Sequence, residues 1–471
     1  MKRREFFGKS VLTAGGMGFL LPNLQGNHDF ISDEYLGKNR KKKAKNIIFM
    51  VSDGMSSGTL TMGDLLIQKK TGKGSNWLNL YRENKVTRAV MDMASADSVI
   101  TDSAAASSSW GGGFRVKNGS LNIGERGEVH LPIWQKYKQS GKKVGCVTTV
   151  PITHATPAGF CISTSSRSAK AEIAKMYSDI QFDVMMGGGE DIFAQHKNGN
   201  LLEIMKEKGF DIVTTNKEMG LLSGSKPVLG VFDKDDLPYE LDRLHLPEKR
   251  DKVPSLAEMT KKAITLMKHH HDQGFCLQVE GGKVDWAAHA NDTLGLLYDQ
   301  MAFDEAIGVA IEFAEENKET LVIITTDHGN ANPGLYYGKE ADKNFESLLK
   351  AKHTTSYLLN DVKKGESISN FRDRVKEFQG YELTEDECRI LLKKYEDQPE
   401  TGVYNDYKLP FEMYGNIMKK HTSVAFGGTE HSADYTELAM FGPGCHNLKP
   451  FIKNVDLHYF MLEITGVKNQ F

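Results

Sequence analysis

The sequence predicts an α/β fold: a doubly wound, mainly parallel central sheet flanked by helices on both faces, with a helical insertion late in the chain. Three observations carry this. Near-continuous apolar runs of strand length recur along the chain, as strands covered on both faces require. Amphipathic helical stretches lie between them, the alternation that builds parallel sheets. Polar residues follow directly on the C-terminal ends of the runs, the edge where open α/β sheets place their sites.

The runs come in order. Residues 46–54 (NIIFMVSDG) end on Asp53, and 142–150 (KKVGCVTTV) and 182–189 (FDVMMGGG) follow. Residues 275–282 (FCLQVEGG) carry Glu280, and 320–330 (TLVIITTDHGN) carry Asp327 and His328. Helical periodicity marks 255–273 and 293–318. From 336 to 420 the texture becomes charged and mostly helical without a strong strand run, which reads as an insertion riding on the sheet. The expected division is therefore 1–45, 46–335 (the core), 336–420 (the insertion) and 421–471, the C-terminal part of the core.

Residues 1–45 are set apart by Arg3 and Arg4 followed by a short, glycine-containing apolar stretch, the layout of a twin-arginine export signal. That stretch is too short to span a bilayer at roughly 20 residues per helix. The lysine-rich segment 38–46 reads as a solvated linker, so a periplasmic or secreted location is expected. With 39% hydrophobic and 26% charged residues the chain is globular, and a net charge of −3 gives no basic field for nucleic acid. Five widely spaced cysteines, three of them in apolar strand-like contexts, imply no disulfide framework.

Several short stretches carry chemistry. Asp285 and His289 stand four apart, so a helix presents both on one face as a metal pair, with Glu280 just upstream. Asp327 and His328 are adjacent and can serve one ion only if the chain turns there, which Gly329, Asn330 and Pro333 allow. His431 lies in a glycine-flanked loop. Asp53, Glu280, Asp285, His289, Asp327, His328 and His431 exceed the needs of a single ion. Two ions roughly 4 Å apart would use the surplus to hold the attacking and leaving oxygens of a displacement. The serine-rich stretch 98–113 (SVITDSAAASSSWGGG) places Ser103 where a helix can begin, with free N–H groups and the positive dipole end beneath it. Ser98 precedes β-branched residues and is expected in a short extended segment, and Ser107, Ser108 and Ser109 are expected to pack closely on the helix. A G-x-S-x-G match at 54–58 offers Ser56 as an alternative, triad-type nucleophile.

The motifs SDGM, ITDSAA, ATPA…SR, VEGG…D…H, TTDHG and EH ahead of FGPG occur in the order found in metal-dependent alkaline phosphatases, which the chain resembles from about 46 to 335 and again from 422 to 445. The resemblance implies hydrolysis of phosphate monoesters, with Ser103 as nucleophile and Arg167 clamping two phosphoryl oxygens. It implies two zinc ions, one on Asp285, His289 and His431 and one on Asp53, Asp327 and His328. It further implies a magnesium ion on Asp53, Thr156 and Glu280, and a homodimer. His154 and Trp286 stand where one branch carries Asp and Lys; with Asp102 they are expected to surround the ligands, and His154 to let zinc compete at the third site. A phosphodiesterase or phosphomutase on the same fold is the nearest alternative. A sulfatase would need a C/S-x-P-x-R context that the stretch around Ser103 lacks, and diesterases usually lack the counterpart of Glu280.

Overall fold

The computed structural model describes residues 43–197, 199–224, 226–269, 272–396 and 408–469, so the expected export signal and most of the expected basic linker lie outside the described residues. A ten-stranded sheet runs through the molecule. Its strands are β1 (Asn46–Ser52), β2 (Thr87–Asp92), β3 (Lys143–Pro151), β4 (Val184–Gly188) and β5 (Asp211–Val213). The rest are β6 (Val228–Val231), β7 (Phe275–Gly281), β8 (Thr320–Thr325), β9 (Thr436–Phe441) and β10 (Phe451–Lys453). The spatial order is β10-β2-β9-β8-β1-β7-β3-β4-β6-β5. Only β9 runs antiparallel to its neighbours, β8 and β2.

All five predicted strand runs form strands at the centre of this sheet. The five strands that periodicity did not single out are short or lie toward its margins. Consecutive residues of β1 serve opposite layers: Ile47, Phe49 and Val51 join one apolar cluster, Ile48 and Met50 the other. A strand buried on both faces has no polar side to show, which is why its sequence reads as a continuous apolar run.

Five helices matter for the site. Helices α1 (Ser103–Gly112) and α2 (Ala155–Cys161) pack on one face through Ala104, Trp110, Ala158 and Phe160. Helices α3 (Leu256–Lys268) and α5 (Thr293–Asn317) cover the other face through Met259, Ala263, Leu296 and Phe303. Between β7 and α5, α4 (Lys283–His289) sits at the strand ends. Helices α1 and α2 touch backbone to backbone: a Cβ at Gly111 would meet the Gly159 carbonyl, and one at Gly159 would meet Ser107. The expected close packing of the three serines is found, since Ser107, Ser108 and Ser109 are buried and donate to the carbonyls of Thr156, Ala104 and Ala105. Ser98 lies in no strand: between two bends, its Oγ accepts the Ile100 N–H at 3.0 Å.

The charged region past β8 forms helices including Thr355–Asn360, Ile368–Gln379, Glu385–Leu392 and Phe411–Thr422. They share their own apolar cluster around Leu358, Phe371, Leu391 and Tyr414. An antiparallel pairing of 334–335 with 424–425 brings the ends of this region together. All five cysteines are buried free thiols. Among the described residues no helix is long and apolar enough to cross a membrane.

Candidate active site

Parallel pairing aligns the C-terminal ends of the central strands. Val51 stands beside both Glu280 of β7 and Thr325 of β8, and Thr148 of β3 stands beside Glu280. Asp53, Glu280 and Asp327 therefore emerge at one edge, each fully buried. The approach is tight: a side chain at Gly54, whose φ is +68°, would run into Asp285.

Carboxylates crowd this edge. The Oδ1 of Asp327 accepts N–H groups from Gly54 and His328, at 2.9 and 3.0 Å. Its Oδ2 and the Oδ1 of Asp53 are buried without a hydrogen-bond partner. Burial, and then the negative charges of Asp327, Asp285 and Glu280, push the Asp53 carboxyl well above the usual range, against the pull of Arg167. For Asp285, burial is outweighed by His289, His328 and His431, which hold its carboxyl below the usual range. The same contest, decided by His328, lowers Asp327. Buried, mutually repelling carboxylates with orphaned oxygens call for a cation.

The imidazoles are oriented to match. His289 Nδ1 donates to the Thr429 carbonyl, His431 Nδ1 to that of Thr101 at 3.0 Å, and His328 Nδ1 to that of Gly329 at 3.3 Å. All three therefore turn an Nε2 lone pair inward, the outer-shell arrangement that fixes metal-binding histidines. Their Nε2 atoms meet carboxylates: His289 and Asp285 at 3.5 Å, His431 and Asp285 at 3.7 Å, His328 and Asp53 at 3.6 Å. Burial lowers the pKa of His431, reinforced by His328, whereas Asp327 outweighs burial and raises that of His328. Local folding explains these placements. Helix α4 sets Asp285 and His289 on one face, and residues 431–432 pair antiparallel with 329–330, carrying His431 onto His328 in a ring stack at 3.7 Å.

Three groups of side chains have ligand atoms within 4.8 Å of one another: Asp285, His289 and His431; Asp53, Asp285 and His328; and Asp53, His154 and Glu280. Asp327 adjoins the second, its Oδ2 3.1 Å from His328 Nε2. Thr156 adjoins the third, its Oγ1 donating to Asp53 Oδ2 at 3.2 Å. His154 faces the carboxylates with Nδ1, 3.4 Å from Glu280 and 3.7 Å from Asp53. The Nε2 of the same ring accepts from Arg167 Nη2 at 3.2 Å. Trp286 meets the His154 ring edge to face at 6.2 Å.

Ser103 opens α1, its Oγ 3.3 Å from His328 Nε2. Asp102 caps that helix through the Ala105 N–H and receives Arg167 Nη1 on its other oxygen, at 2.9 Å each. Burial opposes the charge on Arg167, but Asp102, Asp53 and Asp285 outweigh it. Ser56 is elsewhere. Its buried hydroxyl is engaged by Asn330 and Asn332, and no histidine bonds it among the described residues.

Some supporting residues escaped the sequence reading. Thr148 Oγ1 donates a short hydrogen bond to Glu280, and Asn330 Nδ2 donates to Asp285 Oδ1 at 2.7 Å. Asn330 sits inside the TTDHGN stretch and Thr148 on a predicted strand, so position offered a hint. The carbonyls that orient the histidines offered none, because every residue has one.

A large parallel sheet bearing buried carboxylates and inward-facing imidazoles beside a helix-terminal serine points to a metal-dependent hydrolase. The sequence pattern of the alkaline phosphatase family matches residues 44–467, and the chain belongs to that family of phosphoric monoester hydrolases. It is 30% identical over 429 residues to alkaline phosphatase 4 of Bacillus subtilis (strain 168), covering 89% of this chain and 88% of that protein. Identity to Escherichia coli (strain K12) alkaline phosphatase is 29% over 343 residues, covering 62% of this chain and 71% of that protein. The crystal structure of Thermus thermophilus alkaline phosphatase superposes with a TM-score of 0.83 at 27% identity, covering 92% of this chain and 94% of that one.

Proposed function

We propose that the chain hydrolyses phosphate monoesters through a phosphoserine on Ser103, at a centre of two zinc ions and one magnesium ion. The observation that carries this is Ser103 Oγ at 3.3 Å from His328 Nε2, which itself lies beside the orphaned oxygens of Asp53 and Asp327, at 3.6 and 3.1 Å. Asp285, His289 and His431 would hold one zinc, and Asp53, Asp327 and His328 the other. Glu280, Thr156 and Asp53 offer oxygen ligands for magnesium, while the Nδ1 of His154 beside them favours zinc competition there. When bound, these ions supply Lewis acidity that lowers the pKa of the Ser103 hydroxyl and of a water, and charge that steadies the leaving oxygen.

The chain's own residues do the rest. Arg167, held by Asp102 and His154, keeps further N–H donors of its planar guanidinium for two phosphoryl oxygens, a fit that lysine cannot give. The N-terminus of α1 adds backbone N–H groups beneath the developing charge. Ser103 Oγ gives up its proton and forms a bond to phosphorus while the ester oxygen departs with the bonding pair and takes up a proton. Water then loses a proton and attacks the phosphoserine from the vacated side, Ser103 Oγ leaves with the bonding pair and is reprotonated, and inorganic phosphate is released. Asp102 holds the guanidinium and the helix start in one frame through both steps.

The test is p-nitrophenyl phosphate hydrolysis at alkaline pH by wild type and Ser103→Ala, with bis-p-nitrophenyl phosphate as counter-substrate. Activity on the monoester, much weaker activity on the diester and loss of both in Ser103→Ala are expected. Full activity in Ser103→Ala would sink the mechanism, and a preference for the diester would favour a phosphodiesterase. Arg3 and Arg4 support export in folded form, which blocked transport of an Arg3→Lys/Arg4→Lys precursor would establish.

A further inference from the structure

The segment 97–102 leads into the helix of Ser103 and holds more of the site than its side chains suggest. The Thr101 carbonyl accepts the Nδ1 proton of His431 at 3.0 Å, and Asp102 both holds Arg167 and caps α1. Yet little apolar burial fixes this segment: Val99 is 75% exposed and Ile100 39%. Its shape depends on polar contacts: Ser95 braces Asp97 and Ser98, and the part nearest Ser103 is held by one side chain opposite.

That side chain is Asn118. Its Oδ1 accepts the backbone N–H of Asp102 at 3.0 Å, and its Nδ2 donates to the Ile100 carbonyl at 2.9 Å. Its own N–H donates to Asp97 Oδ1 at 3.0 Å. Gly119 continues the brace, donating its N–H to Asp102 Oδ2 at 3.0 Å and accepting the Arg167 N–H at 2.8 Å. Gly119 has a φ of +85°, a conformation that costs glycine little. One two-residue turn thus ties the backbone before the nucleophile to the backbone of the phosphate clamp.

We propose that Asn118 is a positioning residue for phosphoryl transfer: its amide fixes the segment 97–102 and thereby sets Ser103, Arg167 and His431 relative to one another. This rests on the functional reading above. Asn118 is exposed and bonds none of the ligand side chains, so it acts only through the segment it braces. The task needs a donor and an acceptor on one short planar group, which an amide supplies. Alanine removes both. Aspartate keeps the acceptor for Asp102 but sets a carboxylate against the Ile100 carbonyl. Water satisfies the freed backbone groups at this exposed position, so the fold survives while the placement loosens.

The experiment compares wild type, Asn118→Ala, Asn118→Asp and Ser103→Ala with p-nitrophenyl phosphate as substrate and inorganic phosphate as inhibitor. Unfolding midpoint and bound zinc are measured on the same preparations. For Asn118→Ala, kcat/KM falls roughly 10- to 100-fold, the scale of a misplacement of about 1 Å. Its inhibition constant for phosphate rises in parallel, while its midpoint stays within about 2 °C of wild type, as for an ordinary surface change. Asn118→Asp falls between the two. Values of kcat/KM and phosphate inhibition within about twofold of wild type would overturn the proposal. So would an activity loss matched by loss of folded protein or bound zinc, which marks a merely structural residue. Full activity in Ser103→Ala defeats the functional reading itself. An inactive Ser103→Ala beside an unaffected Asn118→Ala defeats only the role of Asn118.

Discussion

Asp285, His289 and His431 gather at the rim of the site, whereas Asp53, His154 and Glu280 gather at its floor. The rim is partly open, with the side chain of His289 36% exposed and that of His431 18%. Two of its three candidate ligands are imidazoles tied to backbone carbonyls. At the floor, Asp53 and Glu280 are wholly buried. There the one imidazole is turned the other way, its Nε2 spent on Arg167. The rim holds its shape without an ion, because its donors have backbone partners. The floor stores repulsion between carboxylates that a cation relieves. The same sheet edge thus carries a preformed pocket and a strained one, with Asp53 shared between the floor and the His328 group.

Removing the shared member should have the largest effect. Asp53→Asn is expected to lower kcat/KM by at least about 10³-fold, the upper scale for a single group supporting charge in the transition state. Elemental analysis should show metal loss at more than one position. A loss confined to one ion would break the view that Asp53 couples the floor to the His328 group.

Chelation comes next. EDTA should abolish activity and lower the stability of the folded chain, since ligands bound at about 100-fold over Kd contribute about 2.7 kcal/mol each. The ion at the half-open rim should leave faster than the one at the floor, visible as two phases of metal release to a chromogenic chelator. A single phase would erase the distinction.

The pattern of what was legible follows from the same contrast. The candidate ligands stood out because Asp, His and Glu at strand ends contrast with apolar runs, and Asp285 and His289 keep helical spacing. The central strands were readable for a related reason: Ile47 through Val51 must be apolar on both sides. Edge elements such as β2 and β10 were not, because half-exposed strands tolerate Thr, Arg and Lys. Nor could sequence show which nitrogen of His154 faces the carboxylates, since the partner that decides it, Arg167, lies on a different loop. Asn118 escaped for a similar reason: an exposed Asn-Gly pair reads as a turn, and its bonds to Ile100 and Asp102 exist only once the chain has folded back.

A gentler change tests the floor alone. Thr148→Val removes the hydroxyl that orients Glu280 while keeping its size on a fully buried strand. Outer-shell losses cost about tenfold or more in metal affinity. The magnesium concentration for half-maximal activation should rise by about that factor, with zinc content at the rim unchanged. Equal effects on both ions would show that the floor and the rim are one cooperative unit.

The smallest expected effect is on the pH dependence of stability. Asp53 has its folded pKa raised by burial and neighbouring carboxylates, so the folded metal-free chain holds a proton that the unfolded chain gives up in mild acid. Its burial is tolerated while protonated, and stability is lost as pH rises toward the folded pKa. His328, raised by Asp327, adds the same sign, with stability present below its ordinary value near 6.5 and lost above its folded value. Asp285 and Asp327 are lowered, so their contribution is in place above the ordinary carboxylate range and is lost only in strong acid. Between mildly acidic and mildly alkaline pH, the metal-free protein should therefore lose stability more steeply than the metal-loaded one, in which cations take the place of protons. Denaturant unfolding of both forms across that range checks this. Equal slopes would mean that the floor's repulsion is already relieved without metal, and the contrast between floor and rim would be one of exposure alone.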